Sequence, residues 1–330
     1  MVRPAVKRRA LLGALGLAAA LPWLAAAQPA RPMLVIVLFT GDSEDDEPAT
    51  RSFFDQMRRL GWIEDQNIVY ERIFGKGMRA YLEGLARSAV SRTPDLIFAS
   101  VASIALAVLE ETGSIPVVFM TSSDPVAGGL VASLARPGRN ATGTFQPPGD
   151  VAPKRLELIR ETFPRATRIG AVFDRRAAGI QQQKELYQAT AARMGFDLHA
   201  VEFTNFEVVP KALARFRKDK ITAVLVAGSL TLFPRRREVV NAAMRNGIVL
   251  LTTRADWVES GAVLSYGAEV AEALRRCAKI SDRILKGAPA ALIPVEEVTK
   301  FELAVNLRSA QALAIDIPKP VIERADRVIK

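Results

Sequence analysis

The 330-residue sequence holds one cysteine, Cys277, and one histidine, His199. A single thiol cannot close a disulfide within the chain, so stability has to come from buried apolar cores. With one imidazole and one thiol, a zinc site built from histidines or thiolates is excluded in practice. His199 follows Asp197 in an alternating pattern with Leu198, Ala200 and Val201, which places it at a surface or sheet edge rather than in an acid–base centre. Cys277 keeps helical spacing with Val270, Leu274, Ile280 and Ile284 and reads as a small buried apolar residue. Gly75-Lys76-Gly77 is completed into neither a G-x-G-x-x-G fingerprint nor a P-loop, so it reads as a turn and nucleotide binding loses its main support. Basic residues are dispersed and not interleaved with aromatics as in a nucleic-acid groove. Their one cluster, Arg235-Arg236-Arg237, reads as solvated helix surface. No cofactor, metal or nucleic-acid partner is expected.

A long apolar run is also missing. The longest, Ala10 to Leu21, has twelve residues, whereas a bilayer span needs roughly 20. Arg3, Lys7, Arg8 and Arg9 precede it, Pro22 interrupts it, and Ala25-Ala26-Ala27 offers a cleavage site before Gln28. This layout predicts an export signal over residues 1–27, removed near Ala27, and a periplasmic protein not embedded in the membrane. Adjacent Arg8 and Arg9 leave both the general and the twin-arginine routes open. Four of the 45 basic residues and none of the 35 acidic ones lie in this segment, so 41 basic residues face 35 acidic ones beyond it. A surplus of six is modest for some 300 residues, a length that suits two lobes with a core each.

Beyond the signal, short β-branched runs alternate with helical patterns, the signature of parallel sheets covered by helices. Strands are expected at 33–39, 67–74, 95–100, 115–120 and 142–145, with helices near 50–60, 79–91, 101–111 and 126–134. A second series has a helix at 150–163, then strands at 168–174, 197–203, 223–228 and 248–253 separated by helices near 179–194, 207–217 and 234–246. Gln146-Pro147-Pro148-Gly149 continues neither kind of element and reads as a crossing between lobes. A strand at 263–266 leads into a long amphipathic helix at 268–286. An extended segment anchored by Pro294, a strand at 301–306, a helix near 307–313 and a proline-punctuated ending complete the chain.

Chemistry concentrates just after strands, where parallel sheets present their carboxyl ends to ligand. Thr40-Gly41-Asp42-Ser43, Ser100 to Ser103, Thr121-Ser122-Ser123-Asp124 and Gly228-Ser229 are short and hydroxyl-rich. Hydroxyls and amides at a helix start favour a carboxylate or other anion, although each loop alone is also ordinary N-capping. Asp124, Asp174 and Asp256 are candidates for a ligand ammonium, and Phe145, Trp257 and Tyr266 for apolar walls. The five acidic residues between Asp42 and Glu47 read as a solvated loop at a cleft mouth, since no glycine sits where a calcium loop requires one.

The stretch Asp124-Pro125-Val126, then Leu130 through Gly143 (LVASLARPGRNATG), resembles the substrate-binding proteins of ABC importers, in the branch of tryptophan- and phenylalanine-like binders. Leu60-Gly61-Trp62 with Gln66-Asn67, Lys154 to Leu158, Ser265-Tyr266-Gly267, Thr299 to Leu303 and Arg324-Ala325-Asp326 agree with it. The resemblance implies two doubly wound parallel-sheet lobes of the type I periplasmic-binding kind, joined by a three-segment hinge. Lobe 1 would comprise 28–146 and 266–294, and lobe 2 would comprise 147–265 and 295–330. It also implies a monomer that closes on a small ligand, an amino acid or related carboxylate and possibly aromatic, and delivers it to a permease driven by an ATPase. The expected contacts are Asp42, Ser43, Ser100, Ser103, Thr121, Ser122, Asp124, Phe145, Asp174, Ser229, Arg254 and Tyr266. Two positions depart from the family pattern: Leu230 stands where many relatives have Asp, and Thr252-Thr253-Arg254 where they have Tyr-Pro-Phe. Arg254 would there suit a ligand with a second acidic group. A ligand-sensing module feeding a membrane kinase, and a two-lobed glycosyltransferase-like enzyme, remain as alternatives.

Overall fold

A computed structural model describes residues 31–39, 41, 48–75, 82–146, 151–177, 179–229 and 231–330. The expected export signal, the whole run from Asp42 to Glu47, Lys76-Gly77, Leu230 and Pro147-Pro148-Gly149 lie outside the described residues. The first series contains β1 (Met33–Phe39), α1 (Arg51–Arg59), β2 (Ile68–Phe74), α2 (Leu82–Ser91), β3 (Leu96–Ala99), α3 (Ala102–Glu111), β4 (Val117–Thr121) and β5 (Ala141–Phe145). The second runs α4 (Val151–Thr162), β6 (Arg168–Asp174), α5 (Ile180–Arg193), β7 (Asp197–Phe203), α6 (Val208–Lys218), β8 (Ala223–Val226), α7 (Arg236–Arg245), β9 (Val249–Thr252), α8 (Ala255–Glu259) and β10 (Leu264–Ala268). The remainder is α9 (Val270–Leu285), β11 (Glu296–Glu297), β12 (Phe301–Asn306), α10 (Leu307–Ala312), α11 (Lys319–Glu323) and β13 (Arg327–Ile329).

These strands form two sheets, ordered β11-β5-β4-β3-β1-β2 and β13-β12-β10-β9-β8-β6-β7. All pairings in the first are parallel. In the second, β12 runs antiparallel to β10 and carries β13 parallel to itself, so an oppositely directed pair closes that edge. The apolar runs are continuous because both faces of each sheet are covered. On β1, Val35, Val37 and Phe39 pack with Phe53, Met57 and α9, while Ile36 and Leu38 pack on the opposite face with α2 and α3. On the second sheet, Val172, Val224 and Val226 face α6 and α7, whereas Ala171, Phe173 and Leu225 face α4 and α5. Each of the larger of these side chains (Val, Ile, Leu, Met or Phe), fully buried, contributes roughly 1.5–3 kcal/mol.

The chain passes between the sheets three times: between Gln146 and Val151, between Ala268 and Val270, and between Glu297 and Phe301. The second and third crossings are joined, since Glu269 N donates to Lys300 O at 2.9 Å and their side chains pair at 2.7 Å. Val298 N donates to Phe145 O at 2.9 Å and ties the third crossing to the end of β5. Two sheet memberships differ from the expected segments. Tyr266 to Ala268 stay with the second sheet as the end of β10, and Glu296–Glu297 join β5 in the first.

The expected helix at 126–134 is absent. Val126, Leu130, Val131 and Leu134 imitate a helical period, but the segment is a chain of turns in which Leu130 N and Val131 N both reach back to Pro125 O. Gly129 at φ +75° breaks any helix there. The basic cluster is solvated only in part: Arg237 is exposed, but its two neighbours are engaged. Arg236 is buried and lies over the Phe233 ring, and Arg235 lies over Phe206 at 3.3 Å while pairing with Glu238 at 2.7 Å. Helices α8 and α11 and strand β13 are elements the sequence pattern did not suggest, each being five residues or shorter.

Gly143 sits opposite Phe119 in the β4–β5 ladder, and a Cβ there would lie 1.9 Å from the Phe119 carbonyl oxygen. Gly84 on α2 has nothing within 4 Å. Replacing Gly143 with Ala should therefore destabilise by more than about 3 kcal/mol through ladder distortion, while Gly84→Ala should stabilise by roughly 0.5–1 kcal/mol. Urea unfolding of the two variants checks the opposite signs. Cys277 is fully buried beside Thr144 and the Phe119 carbonyl, and burial pushes its thiol up to about 12. Iodoacetamide at pH 8 should leave it unmodified until denaturant is added, as read by mass spectrometry.

Candidate functional site

In each sheet the winding direction reverses once, between β1 and β3 in the first and between β6 and β8 in the second. At such a point the loops leaving neighbouring strands diverge and open a crevice beyond the carboxyl ends. The two crevices face each other across a cavity of about 490 Å³ lined from both lobes. Contact between the lobes at its rim is close: a Cβ on Gly179, at the start of α5, would meet the Ser123 Cβ at 3.6 Å.

The first lobe contributes the loops after β3 and β4. Val101 is extended and supplies no side-chain cap to α3, whose first intrahelical bond runs from Ala105 N to Val101 O. The amides of Ala102, Ser103 and Ile104 consequently have no carbonyl partner inside the helix. Ser100 Oγ and Ser103 Oγ are buried on the cavity lining and have no hydrogen-bond partner. A buried hydroxyl left unsatisfied costs about 1–3 kcal/mol, and this helix start offers its hydroxyls and amides to the cavity. Thr121 Oγ1 bonds Ser123, and Asp124 Oδ1 accepts from Val126 N at 2.8 Å and Ala127 N at 3.2 Å. Ser122 and Asp124 also line the cavity.

The second lobe contributes Asp174 at the end of β6 and Ser229 after β8. Asp174 is buried and accepts from Ser229 Oγ at 2.7 Å, Thr231 Oγ1 at 2.9 Å and Arg176 N at 3.1 Å, with Arg176 Nε at 3.6 Å. Its charge is thus matched within its own lobe. Arg254 lines the cavity, but it forms a forked pair with Asp256, at 2.6 Å from Nη2 and 3.1 Å from Nε, and lies 3.9 Å over the Phe233 ring. The same pairing engages Asp256, an expected ammonium partner. Trp257 lines the cavity as expected. Phe145 and Tyr266 lie outside the lining: Phe145 packs in the first lobe's core, and Tyr266 stacks on Phe301 with ring centroids 5.8 Å apart. Among the expected contacts that are described, the cavity therefore gathers Ser100, Ser103, Thr121, Ser122, Asp124, Asp174, Ser229 and Arg254.

Arg155 on α4 was missed. It lines the cavity at 4% exposure, with Nε donating to Tyr266 O at 2.6 Å and Nη1 to Tyr187 Oη at 2.7 Å. The signal was present in the sequence, because Arg155 stands at helical spacing between Val151 and Ile159, a charge in the middle of an apolar stripe. Arg176, Thr231 and Phe233 were also missed, each lying in a loop whose strand end was recognised but whose path was not.

A family model described as ABC transporter substrate binding protein matches residues 35–329. A curated tyrosine-binding protein of Clostridioides difficile is 24% identical over 267 residues, covering 81% of this chain and 76% of its own. Among solved structures, an ABC domain in complex with L-Trp from Streptococcus pneumonia matches with a TM-score of 0.82 at 22% identity, covering 90% of this chain and all of its own. The ligand-free, open structure of a substrate binding protein with adhesive properties from Clostridium difficile matches with a TM-score of 0.66 at 23% identity, covering 90% and 99%. The two-sheet architecture is the type I periplasmic-binding-protein fold.

With Arg254 engaged by Asp256, Arg254→Ala should first be a stability variant, because it leaves an 8%-exposed carboxylate without its counter-charge. The expected loss is about 1–3 kcal/mol, below that of a fully buried pair because Arg254 keeps some solvent contact. Adding Asp256→Asn to it should recover part of the loss in urea unfolding.

Proposed function

Because the chain belongs to the ABC transporter substrate binding protein family, we propose that it is the exported solute-binding component of an importer. It captures a small ligand between its lobes in the periplasm and hands it to a permease coupled to an ATPase. It acts by binding and release, without a covalent step. The ligand is an aromatic amino acid or a related aromatic carboxylate.

The observation that carries this reading is the two-sided cavity, with an open helix start and two unpartnered buried hydroxyls on one wall and Ile180, Leu186, Phe233 and Trp257 among the apolar groups elsewhere. Donors without acceptors call for a ligand carboxylate, and apolar surface of this extent calls for a ring. The names of the tyrosine-binding relative and of the tryptophan complex support the ligand class. The higher structural similarity to the tryptophan complex than to the ligand-free open structure supports reading the described arrangement as the closed one. In that view the open and closed forms differ by rotation about the three crossings, and ligand contacts made on both lobes favour the closed form.

Thermal denaturation of the chain beginning at Gln28, against L-tyrosine, L-tryptophan, L-phenylalanine, dicarboxylates and sugars, tests this reading. A ligand present at a hundredfold its Kd should add about 2.7 kcal/mol to stability and raise the Tm, and an aromatic amino acid should give the largest rise. A rise with sugars alone would overturn the ligand class.

A further inference from the structure

Among the described residues, five charged side chains line the cavity: Asp124, Arg155, Asp174, Arg176 and Arg254. Arg176 stands against Asp174, and Arg254 is forked onto Asp256. Arg155 differs. Its partners are a backbone carbonyl and a phenol, both neutral, and among the described residues no carboxylate pairs with it. An arginine side chain stays charged at any working pH, and a charge taken out of water without a counter-charge is strongly unfavourable. A guanidinium at 4% exposure on the wall of a cavity is therefore incomplete until the cavity supplies an anion.

We propose that Arg155 is the receptor for the ligand's carboxylate on the second lobe, and that it links this contact to the hinge. The inference deepens the amino-acid reading of the cleft and rests on it. The hinge link is geometric: Arg155 Nε holds the Tyr266 carbonyl at 2.6 Å, on the strand that runs through Gly267 into the second crossing. Space at Gly267 is tight, with a Cβ there 1.9 Å from Thr253 O and 3.3 Å from Arg155 Nη2. The guanidinium thus has a fixed position relative to the crossing. With Nε given to Tyr266 and one Nη1 hydrogen to Tyr187, the donors of Nη2 and the second Nη1 hydrogen are left for a carboxylate, which accepts arginine hydrogen bonds in a directed, often forked geometry. The α3 start on the opposite lobe faces the same cavity with its own donors, so one ligand is gripped from both sides. Selectivity follows: a ligand keeping its ring and ammonium but lacking the carboxylate charge leaves Arg155 unmatched.

The test compares L-tyrosine with L-tyrosinamide by calorimetry on wild type, Arg155→Gln and Arg155→Lys. Wild type should prefer the acid. Since a charge-assisted hydrogen bond is worth about 1.5–3 kcal/mol, Arg155→Gln should weaken L-tyrosine by about tenfold or more and leave the amide nearly unchanged, collapsing the preference. Arg155→Lys should retain part of it. If Arg155 only braces the hinge, Arg155→Gln would weaken both ligands alike and the preference would survive, which overturns the proposal. If wild type binds neither compound, the amino-acid reading fails separately, and titrations of benzoate against benzamide on the same three proteins decide the role of Arg155. Benzoate preferred by wild type and not by Arg155→Gln supports it, and equal behaviour of the two compounds on wild type overturns it.

Discussion

A parallel sheet sends the carboxyl ends of all its strands to one edge, and everything that distinguishes this molecule happens at that edge. The strands β5 and β10 leave their sheets there, at Phe145 and Ala268, and two of the three crossings start from those points. The third is tied to the same place by the Val298–Phe145 and Glu269–Lys300 contacts. Hinge and cleft therefore share one boundary, and the winding reversal in each sheet opens toward the other lobe rather than toward bulk solvent. A ligand held between them contacts both halves of a hinge whose segments are already bound to each other.

Electrostatics at this boundary follow one rule with one exception. Charges that serve the fold stand against a nearby opposite charge: Asp174 against Arg176, Arg254 against Asp256, and Glu269 against Lys300 and Arg275. For Glu269, burial alone would raise the carboxyl, but hydrogen bonds from Lys300 and Arg275 outweigh it and the net direction is downward. These local pairs leave the hinge electrically quiet. Arg155 and the two serine hydroxyls of the α3 start stand apart, buried and unmatched, which is why they carry the reading of the cleft.

The strand and helix alternation was legible because both faces of each sheet are buried, so most elements appear as apolar runs of the right length. The strand β13 and the short α8 and α11 were not, being too brief for a period to show. The 126–134 segment misled because its buried Leu130 and Val131 hold a turn against the core at spacings that a helix would also give. The loops after β3, β4 and β8 line the cavity, yet polarity alone could not reveal which side chains were already engaged. Arg254 and Tyr266 looked available in the sequence and are occupied, by Asp256 and by Phe301. The most specific motif adds its own confusion, since much of it serves the fold: Asp124 caps a turn, Asn140 binds the Thr112 and Ile115 carbonyls, and Gly143 permits the close approach of β4. Residues shared with a family can mark its scaffold rather than its ligand.

An unmatched buried cation also bears on how such a receptor avoids closing while empty. In the proposed cycle, closure without ligand would leave the Arg155 guanidinium and the Ser100 and Ser103 hydroxyls without partners, and each such group would weigh against the closed form. A ligand that supplies the missing acceptors removes that penalty and adds contacts of its own. The equilibrium moves only by the difference between what the ligand does for the two forms. Leaving polar groups unsatisfied in the closed cleft enlarges this difference without any need to strengthen contacts in the open one. On the proposed reading, the same groups that would select the ligand would also weigh against closure of the empty protein.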